Sequence, residues 1–302
     1  MTASGHPWPL AVAVLFGFFV VRTVVLVGGA TLALRTTWAG LRRVYRVAVP
    51  KGQWASELKA AVTVLLFDAV VVGMAVSAGL WTFAPATAGA TALTWLVMFC
   101  WYEVWFYAVY RLLHTKALYR FHAQHHVAKV TGPLTSLSFG LVERALLLLG
   151  AVGASAALSR LMPITATGVL AYFFTNYVLN LWGHLNVEVL PEGYPRRRLG
   201  RLFISTSFHA MHHARYQGHY GLFTQVLDRL FGTYWEDYPE VHARAARGDG
   251  LTRLGQRVAG EGAGHPTGQT PHRAAWAVRR TSAGGRAAQK ERAGGCVADE
   301  RR

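Results

Sequence analysis

The chain has 302 residues, of which 52% are hydrophobic and only 15% are charged, and its mean hydropathy is +0.24. This composition excludes a disordered chain, and an ordinary soluble domain carries nearer a quarter of charged residues. The formal net charge is +16, but the basic residues lie mostly between apolar blocks and in the C-terminal tail, which favours a membrane protein over a nucleic-acid-binding one.

The first apolar block runs from about residue 8 to residue 34 and is interrupted only by Arg22. Roughly 20 residues cross the hydrocarbon of a bilayer, so the block predicts one tilted spanning helix. A signal peptide is the competing interpretation, but no Lys or Arg precedes the block and it is too long, so we expect it to be retained. Residues 35–59 carry six Lys or Arg and one Glu, a net of +5, which predicts a cytoplasmic loop.

Further apolar blocks cover residues 60–83 and 91–113, with a short turn between them. After a polar, histidine-rich stretch, two more blocks follow at 144–158 and 164–182. The block at 144–158 is short for a full crossing, so one arm of a helical hairpin and a re-entrant segment are both open. The sequence predicts an all-α integral membrane bundle of about four spanning or hairpin helices, with a cytoplasmic histidine-rich cap.

Three regions follow from this pattern. Residues 1–59 form an N-terminal transmembrane helix and a basic loop, and residues 60–240 form the domain that contains the histidine-rich stretch. Residues 241–302 carry 12 Lys or Arg against 5 Asp or Glu, a net of +7, and are predicted to be a disordered basic tail. Within the predicted membrane helices, Arg22 and Asp68 are expected to pair with each other and to hold the bundle together.

Nine of the thirteen histidines lie between positions 114 and 219. An HxxHH motif begins at His122 and again at His209, and positions i, i+3 and i+4 of a helix share one face. His114 lies eight residues before His122, close to the same face if the helix continues. We expect the two triples to face each other and to enclose two metals. Neutral imidazoles suit Zn, Cu, Fe or Ni, whereas Mg or Ca would require carboxylates.

The stretches 110–126 and 206–234, with Ser136-Leu137-Ser138-Phe139 and the closing Asp228-Arg229-Leu230-Phe231-Gly232-Thr233, resemble the fatty acid hydroxylase / sterol desaturase superfamily. The resemblance covers about residues 60–238. It implies an integral membrane oxygenase with a non-haem di-iron centre, O2 as co-substrate and a lipid substrate. The ligands that it implies are His114, His122, His125, His126, His184, His209, His212 and His213. His219 stands where the family usually has Asn, so a supporting role is expected and a ligand role is open.

The first family motif, HRxxH preceded by Asp, is altered in this chain. Tyr110 replaces its first histidine and Glu103 replaces the aspartate. Three roles are open for Tyr110: it ligates iron as a phenolate, it leaves its place to water or His219, or it damages the centre. Glu103, Glu143 and Asp228 are candidates to orient histidines from behind, and a plain helix-end or salt-bridge role is equally open for Glu143 and Asp228.

The resemblance implies an O2-dependent lipid hydroxylase or desaturase that acts on a fatty acyl, sterol, sphingoid or carotenoid substrate. No haem or flavin module is visible in the 302 residues, so a separate reductase, ferredoxin or cytochrome is expected to supply electrons. The alternative is a non-catalytic membrane relative whose metal centre is impaired by Tyr110. A metal transporter is disfavoured, because its ligands should lie at mid-membrane depth.

Overall fold

The computed structural model describes residues 8–258. The polypeptide in this range is helical, with no β-strand among these residues, which confirms the predicted all-α class. Its long helices are α1 (Trp8–Ala33), α3 (Gln53–Ser77), α4 (Ala88–Leu113), α6 (Leu141–Leu161) and α7 (Ala166–Gly183). Its short helices are α2 (Thr37–Leu41), α5 (Tyr119–His122), α8 (Thr206–Arg215), α9 (Val226–Leu230) and α10 (Tyr238–Arg247).

Four helices, α1, α3, α4 and α6, are long and apolar enough to span a membrane, so this is a membrane protein. Helix α6 has 21 residues because it begins before and ends after the apolar block at 144–158, and its length therefore suits a full crossing. Both α1 and α6 contain a π-helical turn, at Val24–Gly28 and Leu149–Gly153.

Helices α4 and α7 run parallel and begin at the same end of the bundle. The hydroxyl oxygens of Thr87 and Thr165 cap their N-termini by accepting hydrogen bonds from Ala90 N–H (3.2 Å) and Gly168 N–H (3.1 Å). Gly168 lies so close to α4 that a Cβ atom would approach the Thr94 side chain to 2.5 Å. The missing side chain therefore allows these two helices to pack closely where they start.

The histidine-rich cap lies at the opposite end of these helices and is tied together by the loop between α2 and α3. The Arg42 guanidinium donates hydrogen bonds to the carbonyls of Glu188 (2.6 Å), Leu190 (2.6 Å) and Ala246 (2.7 Å). Tyr45 is 1% exposed and packs in an apolar core with residues of α8 and α10. The basic loop is thus part of the cap and does not form a separate unit with α1.

Ordered structure continues past the boundary that we placed at residue 240. Helix α10 spans that position, and its Val241 and His242 are buried. The boundary was placed too early because α10 is amphipathic. Its few buried apolar residues alternate with Ala and Arg, so its composition resembles that of the tail. The remainder of the predicted tail, residues 259–302, lies outside the described residues.

The prediction that Arg22 pairs with Asp68 is wrong. Asp68 accepts two hydrogen bonds from the guanidinium of Arg144, from Nε at 2.7 Å and from Nη2 at 2.5 Å. The Arg22 guanidinium lies over the ring of Tyr177, 3.8 Å from the ring centroid. Arg144 offers Asp68 a bidentate partner across α3 and α6, and Arg22 obtains a cation–π contact instead.

Candidate metal centre

The first histidine motif does not lie on one continuous helix, contrary to the prediction. Helix α4 ends at Leu113, and His114 follows as its C-terminal cap. Helix α5 ends at His122, and His125 and His126 lie on a separate 3₁₀ turn, His125–Val127. The histidines of this motif therefore lie on two separate turns and not on one helix.

The second motif lies on a regular helix, as predicted. His209, His212 and His213 all lie on α8 and are at most 2% exposed. The carboxylate of Glu188 accepts hydrogen bonds from the N–H (3.1 Å) and the hydroxyl (2.7 Å) of Ser207 in the first turn of α8. A buried anion thus lies at the positive end of the helix that carries three histidines.

The structure brings eight predicted ligands together in two clusters of four. Within each cluster, the ring nitrogens lie within 4.8 Å of one another and every histidine is buried. Cluster 1 consists of His114, His122, His126 and His212. Cluster 2 consists of His125, His184, His209 and His213. Each cluster takes residues from both motifs, so the two triples do not form one site each.

Outward hydrogen bonds fix the ring orientation of most of these histidines. Nδ1–H of His122 donates to Glu143 (2.7 Å), and Nδ1–H of five others donates to backbone carbonyls. The carbonyl acceptors belong to Tyr110 (for His114), Ser138 (for His125), Asn180 (for His184), Gly218 (for His212) and Ala128 (for His213). A carbonyl only accepts hydrogen bonds, so in these rings Nδ1 carries the proton and Nε2 keeps its lone pair.

The inward-facing nitrogens are suited to a metal ion. Nε2 of His122, His212 and His213 is buried without a hydrogen-bond partner among the described residues. Nε2 of His184 lies 3.4 Å from Nε2 of His125, and both carry lone pairs. Facing lone pairs repel each other unless a cation lies between them, whereas they are the normal arrangement of imidazoles around a metal. The residues present therefore fit a metal in each cluster.

Burial also keeps these imidazoles in the form that binds metals. Desolvation lowers the pKa of His114 and of His184 from 6.5 to about 4. Burial also holds the pKa values of the remaining six histidines well below 6.5, and neighbouring imidazoles add to this effect. All eight are thus neutral at physiological pH, which is the ligand state.

Tyr110 lies in the wall of cluster 1. Its ring centroid is 4.8 Å from that of His122 and 5.8 Å from that of His212, and the ring stacks on Phe106 at 3.8 Å. The side chain is 1% exposed. Cluster 1 already contains four histidines without a contribution from position 110.

His219 lies outside both clusters, and both of its ring nitrogens have other partners. Nδ1–H donates to the Phe208 carbonyl (3.1 Å), and Nε2 accepts the N–H of Trp235 (2.9 Å). Its ring stacks on that of Phe208 with 3.6 Å between centroids. His219 therefore joins α8 to the segment before α10, which is a supporting role.

The three carboxylates have different roles. Glu143 contacts His122 directly, as expected. Glu103 instead accepts hydrogen bonds from the N–H groups of Phe223 (2.9 Å) and Thr224 (3.0 Å), and Asp228 accepts those of Tyr220 (2.8 Å) and Gly221 (2.7 Å). Glu103 and Asp228 hold one loop, residues 220–224, and neither contacts a cluster histidine in the described structure.

An apolar cavity of about 710 Å³ lies between α4, α7 and this loop. Trp95, Phe99, Leu179 and Phe223 contribute to its wall. Tyr220, in the same loop, packs against His114 with 5.0 Å between ring centroids. Volumes of 300–1,000 Å³ are typical of small-molecule pockets, so this cavity has room for part of a lipid.

Sequence reasoning missed the carbonyl acceptors and a buried group behind α8. Glu188 lies 3.0 Å from Nδ1 of His242, and both are fully buried. Burial alone would raise the pKa of Glu188, but His242 and the hydroxyls of Ser205 and Ser207 outweigh it and lower that pKa. The sequence cannot indicate which backbone carbonyls accept hydrogen bonds from histidines. It does show the acidic residue Glu188 between the two groups of histidines, and this residue could have been considered as a supporting group.

The fold and site together define a membrane protein with two buried histidine clusters that could hold metal ions. The family model described as "Fatty acid hydroxylase" matches residues 95–233, which contain all eight cluster histidines. This match supports the resemblance to the fatty acid hydroxylase / sterol desaturase superfamily that the sequence predicted.

Curated relatives match about half of the chain. The rice (Oryza sativa subsp. indica) protein "Very-long-chain aldehyde decarbonylase GL1-6" is 33% identical over 155 residues, covering 48% of this chain and 24% of the relative. "Very-long-chain aldehyde decarbonylase CER1" of Arabidopsis thaliana is 30% identical over 161 residues, covering 49% and 24%. The chain thus spans about a quarter of the length of these relatives. No solved structure matches it.

Proposed function

We propose that the protein is a membrane-bound, O2-dependent di-iron oxygenase that hydroxylates or desaturates a lipid. The observation that carries this proposal is the pair of clusters of four buried histidines, several of whose inward nitrogens lack a partner among the described residues. Imidazole ligands suit iron, and the superfamily is iron-dependent. Two irons bound there would supply the reduction of O2 and the oxidation of an unactivated C–H bond.

The residues of the chain would hold and orient that centre. Glu143 and the five backbone carbonyls fix the imidazole rings, so that Nε2 of six histidines is available inside the clusters. Burial of every ligand excludes bulk water from the reaction. The apolar cavity would hold the hydrocarbon part of the substrate, and the loop 220–224 separates it from cluster 1.

Charge asymmetry supports a cytoplasmic position for the histidine clusters. The loop that joins α1 to α3 on the cap side contains five Lys or Arg and no Asp or Glu, whereas residues 78–87 and 162–165 at the opposite end contain no charged residue. Short loops rich in Lys and Arg stay in the cytoplasm. A cytoplasmic reductase, ferredoxin or cytochrome could then deliver electrons from that side.

The names of the relatives suggest one further substrate class for the activity assay. Very-long-chain aldehydes carry a long hydrocarbon tail that suits the apolar cavity. The assay should therefore measure oxygenated or desaturated products from fatty acyl, sterol and carotenoid lipids, and also hydrocarbons that have lost the carbonyl carbon of an aldehyde.

The first experiment measures iron per chain in the detergent-purified protein and in one variant of each cluster. We expect two irons in the wild type, at most one in His126→Ala and in His209→Ala, and two in the control Glu57→Gln, which alters a buried carboxyl group that contacts no histidine in the described structure. A wild-type protein without iron would refute the proposal. Two irons without any product from these lipids, with a reductase and O2 present, would favour the non-catalytic alternative.

A further inference from the structure

The segment before α8 combines positive charge with exposed apolar side chains. Two 3₁₀ turns, Tyr194–Arg196 and Leu199–Arg201, form most of it. Leu199 is 65% exposed and Leu202 is 41% exposed. The exposed arginines are Arg196, Arg197, Arg198 and Arg201. We call residues 196–202 the arginine collar.

Most of this charge is not compensated by the described part of the chain. No carboxylate of residues 8–258 forms an ion pair with Arg197, Arg198 or Arg201. Elsewhere in the cap, arginines do have such partners: Arg215 binds Asp237 at 2.8 Å, and Arg247 binds Glu192. Arg197, Arg198 and Arg201 therefore give the collar positive charge that suits an anionic partner.

The collar is connected to a region at membrane depth. Ile204 N–H donates to the Phe223 carbonyl (3.0 Å), and Phe223 N–H donates to Glu103 of α4 (2.9 Å). Phe223 also stacks on Phe99 with 5.1 Å between ring centroids. Glu103 lies fifteen residues from Ala88, or about 22 Å along the helix, which is within the roughly 30 Å thickness of bilayer hydrocarbon.

We propose that the arginine collar binds the phosphate groups of anionic phospholipids, while Leu199 and Leu202 lie among the acyl chains of the same leaflet. Arginine heads at the interface and leucines below it are the usual arrangement of a segment that lies in a membrane surface. Leu202 also lines the apolar cavity, so lipid would surround one wall of it. The proposal goes beyond the metal chemistry and does not depend on it.

An acidic electron-donor protein is the other partner that positive charge would suit. Two observations favour lipid instead, namely the exposure of both leucines and the link from the collar to Glu103 within the span of α4. A soluble protein would not reach side chains at that depth, whereas phospholipid surrounds them.

The test uses the full chain in nanodiscs of phosphatidylcholine with phosphatidylglycerol and measures bound lipid by native mass spectrometry. Changing all four collar arginines to Gln should reduce the preference for phosphatidylglycerol about tenfold or more, and changing them to Lys should preserve it. A control variant removes the same number of exposed charges elsewhere in the cap: Lys116→Gln, Lys129→Gln, Arg247→Gln and Arg253→Gln. It should retain the wild-type preference.

A second measurement reports depth directly. An environment-sensitive fluorophore on Leu199→Cys, in a background of Cys100→Ser and Cys296→Ser, should be quenched by lipids with brominated acyl chains. The same label on Asp249→Cys, whose side chain is 69% exposed in the native chain, should be quenched by aqueous iodide. Quenching of position 199 by iodide alone would overturn the proposal. An unchanged preference of the Gln variant for phosphatidylglycerol would also overturn the proposal. If that variant kept its lipid preference but was no longer reduced by an acidic ferredoxin, the collar would instead bind the electron donor.

Discussion

The contact between Glu143 and His122 allows one cluster to be weakened without touching its ligands. Glu143 is fully buried, and one carboxylate oxygen accepts Nδ1–H of His122 at 2.7 Å. Glu143→Gln keeps the size of the side chain but replaces the carboxyl group with an amide, so His122 has a different acceptor for the hydrogen bond that fixes its ring. Loss of such an outer partner typically costs 10–100-fold in metal affinity, which corresponds to about 1.4–2.7 kcal/mol.

The structure predicts that this loss is confined to cluster 1. His122 belongs to that cluster, whereas the Nδ1 atoms of His125, His184 and His213 in cluster 2 are held by backbone carbonyls that the substitution leaves in place. Titration of the iron-loaded protein with a chelator should therefore release one iron at a 10–100-fold lower chelator concentration than in the wild type. The other iron should be released at the wild-type concentration.

Glu57→Gln is the matched control for this experiment. Glu57 is also buried, but its carboxylate accepts hydrogen bonds from Thr135 (2.7 Å) and Gln53 (3.1 Å) and contacts no histidine in the described structure. It should release both irons as the wild type does. If Glu143→Gln releases both irons together, or releases neither more easily, the assignment of His122 and Glu143 to one separable site is refuted.

Three further predictions concern other parts of the molecule. Tyr110→Phe should retain two irons per chain by elemental analysis, because cluster 1 has four histidines without the phenol; loss of one iron would show that the phenol oxygen is a ligand. Asp68→Asn should lower the free energy of unfolding by about 3–5 kcal/mol because it leaves Arg144 unpaired, and adding Arg144→Met should recover much of the loss in thermal unfolding; no recovery would contradict the pairing. Glu188→Gln should destabilise the cap at pH 7, and the difference in melting temperature from the wild type should shrink below about pH 4.5; a difference independent of pH would contradict it.

The direction of the last effect follows from linkage. The pKa of Glu188 is lower in the folded protein than its value of 4.5 in the unfolded chain, because His242 and two serine hydroxyls stabilise the carboxylate. The ionised group therefore contributes its full stabilisation above pH 4.5, and this contribution disappears as the pH falls through the folded-state pKa. Glutamine does not ionise, so the variant lacks this stabilisation of the folded state at every pH.

Patterns of the sequence predicted the helices and the identity of the cluster residues well, because both leave direct traces. A block of apolar residues must be hidden from water, and a repeated HxxHH motif has few structural explanations. The partner of Asp68 was not predictable in the same way. Arg144 stands at the edge of an apolar block, and only the packing of α3 against α6 shows that it reaches Asp68.

The break after His122 is a clear difference between the predicted helix and the structure. Spacing alone assumes that a helix continues, but α5 ends after one turn and a 3₁₀ turn follows. His125 lies in cluster 2, where its ring stacks on Phe139 with 4.6 Å between centroids, while His126 lies in cluster 1. The sequence could identify the histidines, but their distribution between the clusters depends on how the segments pack, since α8 also divides its three histidines although it is one continuous helix.

The exchange of histidines between motifs also links metal binding to folding. Cluster 1 needs His212 from α8, and cluster 2 needs His125 from the first motif, so neither motif can complete a site by itself. Each metal would therefore join the segment after α4 to helix α8, and the free energy of binding would stabilise the contact between them. Glu188 and His219 support this arrangement because they hydrogen-bond to Ser207 and Phe208 of α8 and contact neither cluster. Each cluster and each helix support thus contributes its own contact to the packing of α8 in the cap.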